Sequence, residues 1–559
     1  MMNCDALLAW LDQDQAFYFL LVGGLIVVAL VLAILPLLRD HAGEKREHDW
    51  GWGALVLAIL AAGRWPSIFF PREINPDEGQ LLAGAHALLH DPVFWRSVDG
   101  GTAGPLDFFA LWPAGAVFGW QTYFTARITA LLLVAITLIM AHQCIALIWG
   151  RKVARVAGLA AVCLEALTNT VDLLHYSTEL MSMALLTAAA YAAIRRWVYQ
   201  GGLIWYVLGG LLLGAVPLAK LQAMPLAAGM GLGWLLAEVF SKEPNATHRI
   251  LCLLAGAFLP VTLFAGQITI TGEWENVIIP YFYANVEYTK QGVTSPLLLL
   301  GTMLDFSIRQ DSLLHLWLPG SIVWLVLMLR LRHFADQAAR VFTLASFAAF
   351  LLALICVYYP GNPALHYWQI AVAPCAFLLG AMTGNLLSTS PQSSRKRDRW
   401  LVAVCAFSLV GTLLVHRAWT PNSFMGYRAF FQHHPHTKLV SRLISQSRPG
   451  DSIAIWGWTN YVYVETGLRQ AVRDGDFPRS FEVGSYCQFY RKRFLADLVS
   501  AKPTFFLDST GPYNSIYKIP ELAHDKNFPE LAAVIKANYI LSDEVVGARL
   551  YRRRDPATH

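Results

Sequence analysis

Apolar runs of about twenty residues recur along this chain, each long enough to cross a hydrocarbon core roughly 30 Å thick. They fall at 16–38, 51–70, 128–148, 156–174, 180–195, 202–219, 223–240, 250–271, 313–330, 341–359, 367–388 and 400–417. Backbone N–H and C=O groups find no water in lipid, so a run of this length satisfies them internally as a helix. About twelve spans follow, and the expected fold is mainly α, a polytopic membrane helical bundle. Composition points the same way. Of the 559 residues 56% are hydrophobic and 14% charged, and the mean hydropathy is +0.44, outside the ordinary range of soluble domains. The first run follows the acidic segment "MMNCDALLAWLDQDQ" with no convincing cleavage site, so it reads as a span and not as a cleavable signal.

The placement of charge orients the bundle. Lys45 and Arg46, then Arg151, Lys152 and Arg155, then Arg195 and Arg196, then Lys242 and Arg249, then Arg330 and Arg332, then "SRKRDR" at 394–399 occupy every second connection. Short loops rich in Lys and Arg stay in the cytoplasm. The N-terminus, the alternate connections (71–127, 172–179, around 220, 272–312, 360–366) and everything after 418 are therefore expected on the outer face of the cell inner membrane. The basic clusters read as topology determinants, and nothing calls for a nucleic-acid partner. The eight cysteines are scattered singly, six of them inside spans, and only Cys4 and Cys487 are expected to meet an oxidising face. That distribution gives no disulfide framework and no zinc-type Cys/His spacing.

Two segments leave the membrane pattern. In the first outer connection, 71–127, the stretch "EGQLLAGAHALLHDP" places Leu81, Leu82, Ala85, Leu88 and Leu89 on one helical stripe, as in a helix lying in the membrane interface. From 418 onward apolar content falls, and short β-type runs at 451–458, 503–508, 537–543 and 548–554 alternate with helical stretches at 435–447 and 491–500. The expected division is a transmembrane catalytic domain, 1–417, followed by a small extracytoplasmic α/β domain, 418–559. "GMGLG" at 229–233 and the pair Gly210 and Gly214 lie within apolar runs and read as close helix packing, not as a dinucleotide loop.

With this topology the costly polar residues gather on the outer side. "INPDEGQ" places Asp77 and Glu78 at the mouth of the first outer loop. "LLHYSTEL" places His175, Tyr176 and Glu179 at the next outer turn, "LAKLQAMP" places Lys220 and Gln222 at the third, and "GNPALHYWQ" places His366 and Tyr367 at a later one. Singly, a snorkelling lysine, an aromatic-belt His-Tyr pair and a helix-capping glutamate would explain each of them. Together, ionisable groups at membrane depth mark a functional site. Carboxylates with a lysine and histidines beside a bilayer suit sugar transfer from a lipid phosphate. An acid takes the proton of the acceptor hydroxyl, and Lys and His offset the charge of the departing phosphate. Four arginines at 549 and 552–554 read either as a solvated final strand or as contacts for an anionic acceptor.

These motifs resemble a known family. Pro76-Asp77-Glu78 with the continuation through Asp91, Pro92, Gly100, Gly101, Gly104, Pro105 and Leu106, Glu179 in "HYSTE", Lys220 in "LAKLQ", and His366-Tyr367 with Pro374 in "HYWQIAVAP" are similar to the bacterial branch of glycosyltransferase family 39. That family includes relatives of protein O-mannosyltransferases, the lipid A aminoarabinose transferase and the lipopolysaccharide-core galacturonosyltransferases. The resemblance covers about 50–390 and implies the GT-C fold and inverting transfer from a polyprenyl-phosphate sugar to a glycolipid, polysaccharide or protein acceptor. It also implies Asp77 as base, Glu78 as its neighbour in positioning or acceptor binding with the reverse assignment open, Glu179 in the sugar pocket, and Lys220 and His366 at the phosphate. No cofactor is certain; adjacent carboxylates can hold a divalent metal, and a Lys and His clamp can replace one. Two competing readings are a polysaccharide ligase or polymerase using a pyrophosphate-linked glycan, and a transporter. The first expects an outer loop with several arginines, whereas 272–312 holds only Arg309; the second expects midplane charge and internal repeats, which are not evident.

Overall fold

The structure is a computed structural model and describes residues 15–39, 49–241, 243–291, 295–310, 312–329, 334–362, 364–419, 436–475, 478–481, 484–511, 519–545 and 547–554. Cys4, Lys45, Arg46, Lys242, Arg330 and Arg332 lie outside the described residues. The chain divides into two compact units, one of residues 1–69, 130–265 and 288–424, the other of 70–129, 266–287 and 425–559.

Each of the twelve apolar runs contains a helix among its described residues, although the run 156–174 breaks at 168–170 between Arg151–Leu167 and Val171–Leu174. Among the described residues, eight helices are long and apolar enough to cross a membrane: Gln15–Leu38, Trp50–Phe69, Tyr123–Trp149, Leu221–Phe240, Ala246–Thr271, Gln337–Tyr358, Leu365–Thr389 and Gln392–Trp419. The chain is a multi-pass membrane protein. The other four runs are the shorter apolar helices Ile204–Leu218 and Leu314–Met328, the 17-residue helix Arg151–Leu167, and Thr178–Tyr199, whose ends carry Glu179 and Arg196.

In the first unit Arg151–Leu167 sits at the centre, packed against Gln15–Leu38, Trp50–Phe69, Gln369–Thr389 and Gln392–Trp419. Residues 153–154, 156–157 and 159–167 are buried, many of them alanines whose small side chains let neighbouring helices approach. Gln369–Thr389 is buried continuously from Gln369 to Leu386, as befits a helix apolar on all sides. By contrast, Ala246–Thr271 exposes Phe258 and Leu263, the side chains a lipid-facing helix presents. Where it meets Ile204–Ala215 the contact is backbone to backbone. A Cβ on Gly214 would stand 1.9 Å from the Ala257 carbonyl oxygen, and one on Gly210 would stand 2.1 Å from that of Leu253. The G-x-x-x-G is thus a packing device.

The second unit is built on a five-stranded sheet of order β2-β1-β3-β5-β4, with β1 at Ser452–Trp456, β2 at Arg469–Gln470, β3 at Phe505–Asp508, β4 at Tyr539–Val545 and β5 at Ala548–Arg553. β1 pairs in parallel with β2 and β3, and β5 runs antiparallel to β3 and β4. β1 and β3 are buried along their whole length, as expected for parallel strands covered on both faces. Trp456, Phe481, Phe494, Phe506, Phe528 and Leu531 form their core. The four expected strands are all present. Two-residue β2 is too short to show a period.

Residues 70–129 belong to this unit through specific contacts. Asp99 forms a parallel bridge with Asp474 and shares the Arg493 guanidinium with it. Arg473 donates to the Trp95 carbonyl at 2.9 Å. The helix Pro76–Ala87 packs on Tyr461–Thr466 and on Pro105–Phe109. This corrects the expected interfacial helix: Leu81, Leu82, Ala85 and Leu88 are buried by protein, and only Leu89 of that stripe is exposed. An apolar stripe has the same period whether lipid or protein covers it, so the sequence could not choose.

Candidate functional site

The acidic motif lies in the second unit. Asn75 caps the helix Pro76–Ala87 with extended backbone (φ −149°, ψ 137°), and its side chain accepts from the Asp77 N–H at 3.0 Å. Pro76, at the first helical position, has no N–H to leave unsatisfied. Asp77 and Glu78 then occupy the first turn, where the helix dipole favours carboxylates. Consecutive helical residues point about 100° apart, and their surroundings differ accordingly. Asp77 is partly exposed. Glu78 is fully buried, and both its oxygens are taken by Arg127, at 3.0 Å from Nε and 2.9 Å from Nη2. Arg127 also donates to the carbonyls of Phe70 and Arg72. It thereby ties both ends of the turn that presents Asp77. Gly79 completes the motif for a steric reason, since a Cβ there would stand 2.1 Å from Glu73 Oε2.

Glu73 itself is buried, with Oε2 making no hydrogen bond among the described residues. Burial, and then the charges of Glu465, Glu78 and Asp77, hold its carboxyl well above the usual range against the opposing pull of Arg127. Burial also raises Glu465, although its ion pair with Arg72 opposes the shift.

The other expected residues lie in the first unit and form one cluster there. Pro217 lies in the short helical turn Val216–Leu218 before Lys220 and Pro225 at the start of the helix Met224–Phe240 after it, and Lys220 itself has extended backbone (φ −146°, ψ 118°). Lys220 Nζ reaches Glu179 Oε1 at 3.0 Å and donates to Thr178 Oγ1 at 2.6 Å, and it lies 5.8 Å from the centre of the Tyr367 ring. Glu179 is fully buried, and its Oε2 makes no hydrogen bond among the described residues. The rings of His175 and His366 meet edge to face at 5.4 Å. Asp172 Oδ2 lies 3.7 Å from His366 Nδ1 and accepts from the Leu365 N–H at 3.0 Å. Tyr367 OH is 3.4 Å from Tyr288 OH. Tyr176 is buried. Gln222 turns elsewhere, donating to the Cys356 carbonyl at 2.7 Å.

Several participants escaped the sequence reading. Arg64 pairs with Glu165 and donates to the Leu173 carbonyl at 3.1 Å, and Gln369 donates to the same Glu165 at 3.3 Å. One buried ion pair therefore holds the backbone leading to His175 and the helix that follows His366. Thr178 lies inside "HYSTE" without a signal of its own, and Asp172 lies outside the motifs. Arg127 did leave a signal, an arginine at the end of an apolar run expected to face outward, where the positive-inside rule supplies no reason for it.

The C-terminal arginines have structural partners. Arg549 bridges Asp508 and Asp525 at 2.8 Å each, Arg553 donates to the Lys502 carbonyl at 3.1 Å, and Arg552 stacks over Phe505. Asp508, His524 and Asp525 are close enough to share an ion. However, Asp508 already accepts from Thr510, His524 and Arg549, so the guanidinium fills the cationic role there.

Against solved structures, the chain is similar to ArnT from Cupriavidus metallidurans bound to undecaprenyl phosphate, with a TM-score of 0.59 at 11% identity over 91% of this chain and 99% of that one. It is also similar to the apo state of the same protein, with a TM-score of 0.55 at 12% identity over 90% and 98%. The chain shares the fold of that protein over nearly its whole length. No family model matches it, and no curated protein matches it by sequence. Sequence identity this low, with so large a shared course of the chain, places the likeness in the backbone.

Proposed function

We infer that this chain is a membrane glycosyltransferase that moves a sugar from a polyprenyl-phosphate carrier to an acceptor of the cell envelope. The observation that carries this reading is the cluster of Lys220, Glu179, Thr178, His175, His366 and Tyr367, drawn from three turns of the membrane unit. A fold neighbour binding undecaprenyl phosphate agrees with a lipid-phosphate donor.

Asp77 takes the proton of the acceptor hydroxyl as general base. The freed oxygen attacks the anomeric carbon as the bond to the phosphate breaks, with inversion. Lys220 and His366 offset the charge left on the carrier phosphate. Glu179 orients Lys220 through one oxygen and keeps the other for a sugar hydroxyl. Glu78, engaged by Arg127, positions the Asp77 turn. On this reading the C-terminal domain lies outside the membrane, which the alternation of basic loops supports.

The test is transfer by the purified full chain in proteoliposomes from synthetic polyprenyl-phosphate sugars, alongside mass spectrometry of envelope glycolipids and polysaccharides from a deletion strain. Transfer that depends on Asp77 and Lys220 supports the reading. Solute uptake by the vesicles without transfer would replace it with the transporter alternative.

A further inference from the structure

Within the cluster of the first unit, His175 has an arrangement that neither a proton donor nor a phosphate ligand explains. Its Nδ1 lies 3.0 Å from the Val171 carbonyl oxygen. A carbonyl only accepts, so Nδ1 carries the proton and the neutral ring's lone pair resides on Nε2. That Nε2 is buried and makes no hydrogen bond among the described residues, in a side chain 1% exposed. A buried acceptor without a partner is costly. An imidazole anchored at one nitrogen through a backbone carbonyl and open at the other is the pattern of a metal ligand whose tautomer is fixed from behind.

A second imidazole faces it. Ligand nitrogens of His175 and His366 lie within 4.8 Å of one another. Two nitrogens bound to one ion at roughly 2.1 Å each lie within about 4.2 Å, a small closure from that spacing. His366 has a carboxylate beside it, Asp172 Oδ2 at 3.7 Å from Nδ1, and it is less deeply buried than His175, which leaves a route of entry. The two histidines are far apart in sequence, so no ligand-spacing motif announces them.

We propose that His175 and His366 together hold a divalent cation of the zinc class, with its remaining coordination positions open to an oxygen ligand. Imidazole nitrogens select this borderline class over magnesium or calcium. The assignment deepens the proposed function, because the open positions would take a phosphate oxygen of the donor, and in that respect it rests on that reading. Metal binding is measured without turnover, so the two stand or fall separately.

The full chain, purified in nanodiscs without a polyhistidine tag and stripped with chelator, is titrated with zinc chloride by calorimetry and with cobalt chloride by visible absorption. One zinc ion per chain is expected, with at least a tenfold weaker affinity in His175→Gln and in His366→Gln. The variant His90→Gln, altering a histidine of the second unit, serves as control and keeps the wild-type affinity. Pulsed EPR of the manganese-loaded wild type, which needs no variant to fold, is expected to show nitrogen couplings from imidazole. Absence of stoichiometric zinc binding, unchanged affinity in both glutamine variants, or a manganese spectrum without nitrogen coupling overturns the proposal. Zinc binding by a protein that transfers no sugar leaves the metal site standing and removes the transferase reading instead.

Discussion

At Asp77 and Glu78, two neighbouring acids with similar chemistry receive different work from about 100° of helical rotation. Asp77→Asn keeps size and polarity but cannot accept a proton. Turnover is expected to fall roughly 10²- to 10⁴-fold while the unfolding temperature stays at the wild-type value; near-normal turnover would remove Asp77 as base. Glu78→Gln acts on stability instead, because it leaves Arg127 charged and buried without its carboxylate. Removing one partner of such a pair costs about 3–5 kcal/mol, which thermal unfolding of the purified protein measures. Glu73 adds a pH signature. Its folded-state carboxyl titrates well above the usual range, so folding binds a proton and its contribution weakens as pH rises from the ordinary carboxylate value toward the raised one. Glu73→Gln has no proton to bind. Its unfolding temperature is expected to match wild type near about pH 4 and to exceed it increasingly toward neutral and alkaline pH; a gain confined to acid would contradict the burial argument. Lys220→Met retains the apolar stem and loses the charge, so donor binding is expected to weaken, whereas a merely snorkelling lysine would leave it intact.

At the scale of elements, glycine and proline decide where helices touch and where they stop. The approach of Ile204–Ala215 to Ala246–Thr271 leaves no room for a side chain at Gly214, and Gly214→Leu is expected to destabilise the membrane unit by about 1–3 kcal/mol, read as a lower unfolding temperature in detergent. Pro217 and Pro225 interrupt what would otherwise be a continuous apolar helix and leave Lys220 in extended backbone at the break. In the sheet, β5 contributes Arg549 to a network in which Asp525 is held down at about 2, first by the hydrogen bonds it accepts from Arg549. A depressed carboxyl stabilises the fold above its unfolded value and loses that contribution as pH falls through the folded one. The strand's arginines thus have packing and ion-pair duties sufficient to explain their presence.

For the whole molecule, the grouping of 70–129 and 266–287 with 425–559 follows packing instead of chain order. Ion pairs such as Asp99 with Arg493 join segments nearly four hundred residues apart in sequence. Orientation across the membrane belongs to this scale too. An alkaline phosphatase fusion after Gly450 is expected to be active, as the alternation of basic loops requires, and a stable but inactive fusion would reverse the orientation.

The sequence by itself determined the helical runs, four of the five strands and the residue types of the site. Those signals are local: run length, two-residue alternation, and charge where lipid makes charge costly. It also named Lys220, Glu179, His175 and His366 as outer-turn residues, because each interrupts an apolar stretch. Tertiary structure alone decided what each one touches. Glu78 became an ion-pair partner because Arg127 of a later helix closes on it, Gln222 turned to a neighbouring helix, and the Leu81 stripe was covered by protein. Glu73, Asp172 and the pair of Arg64 with Glu165 entered the account only through burial and distance, which depend on contacts between residues remote in the chain and leave no periodic trace in it.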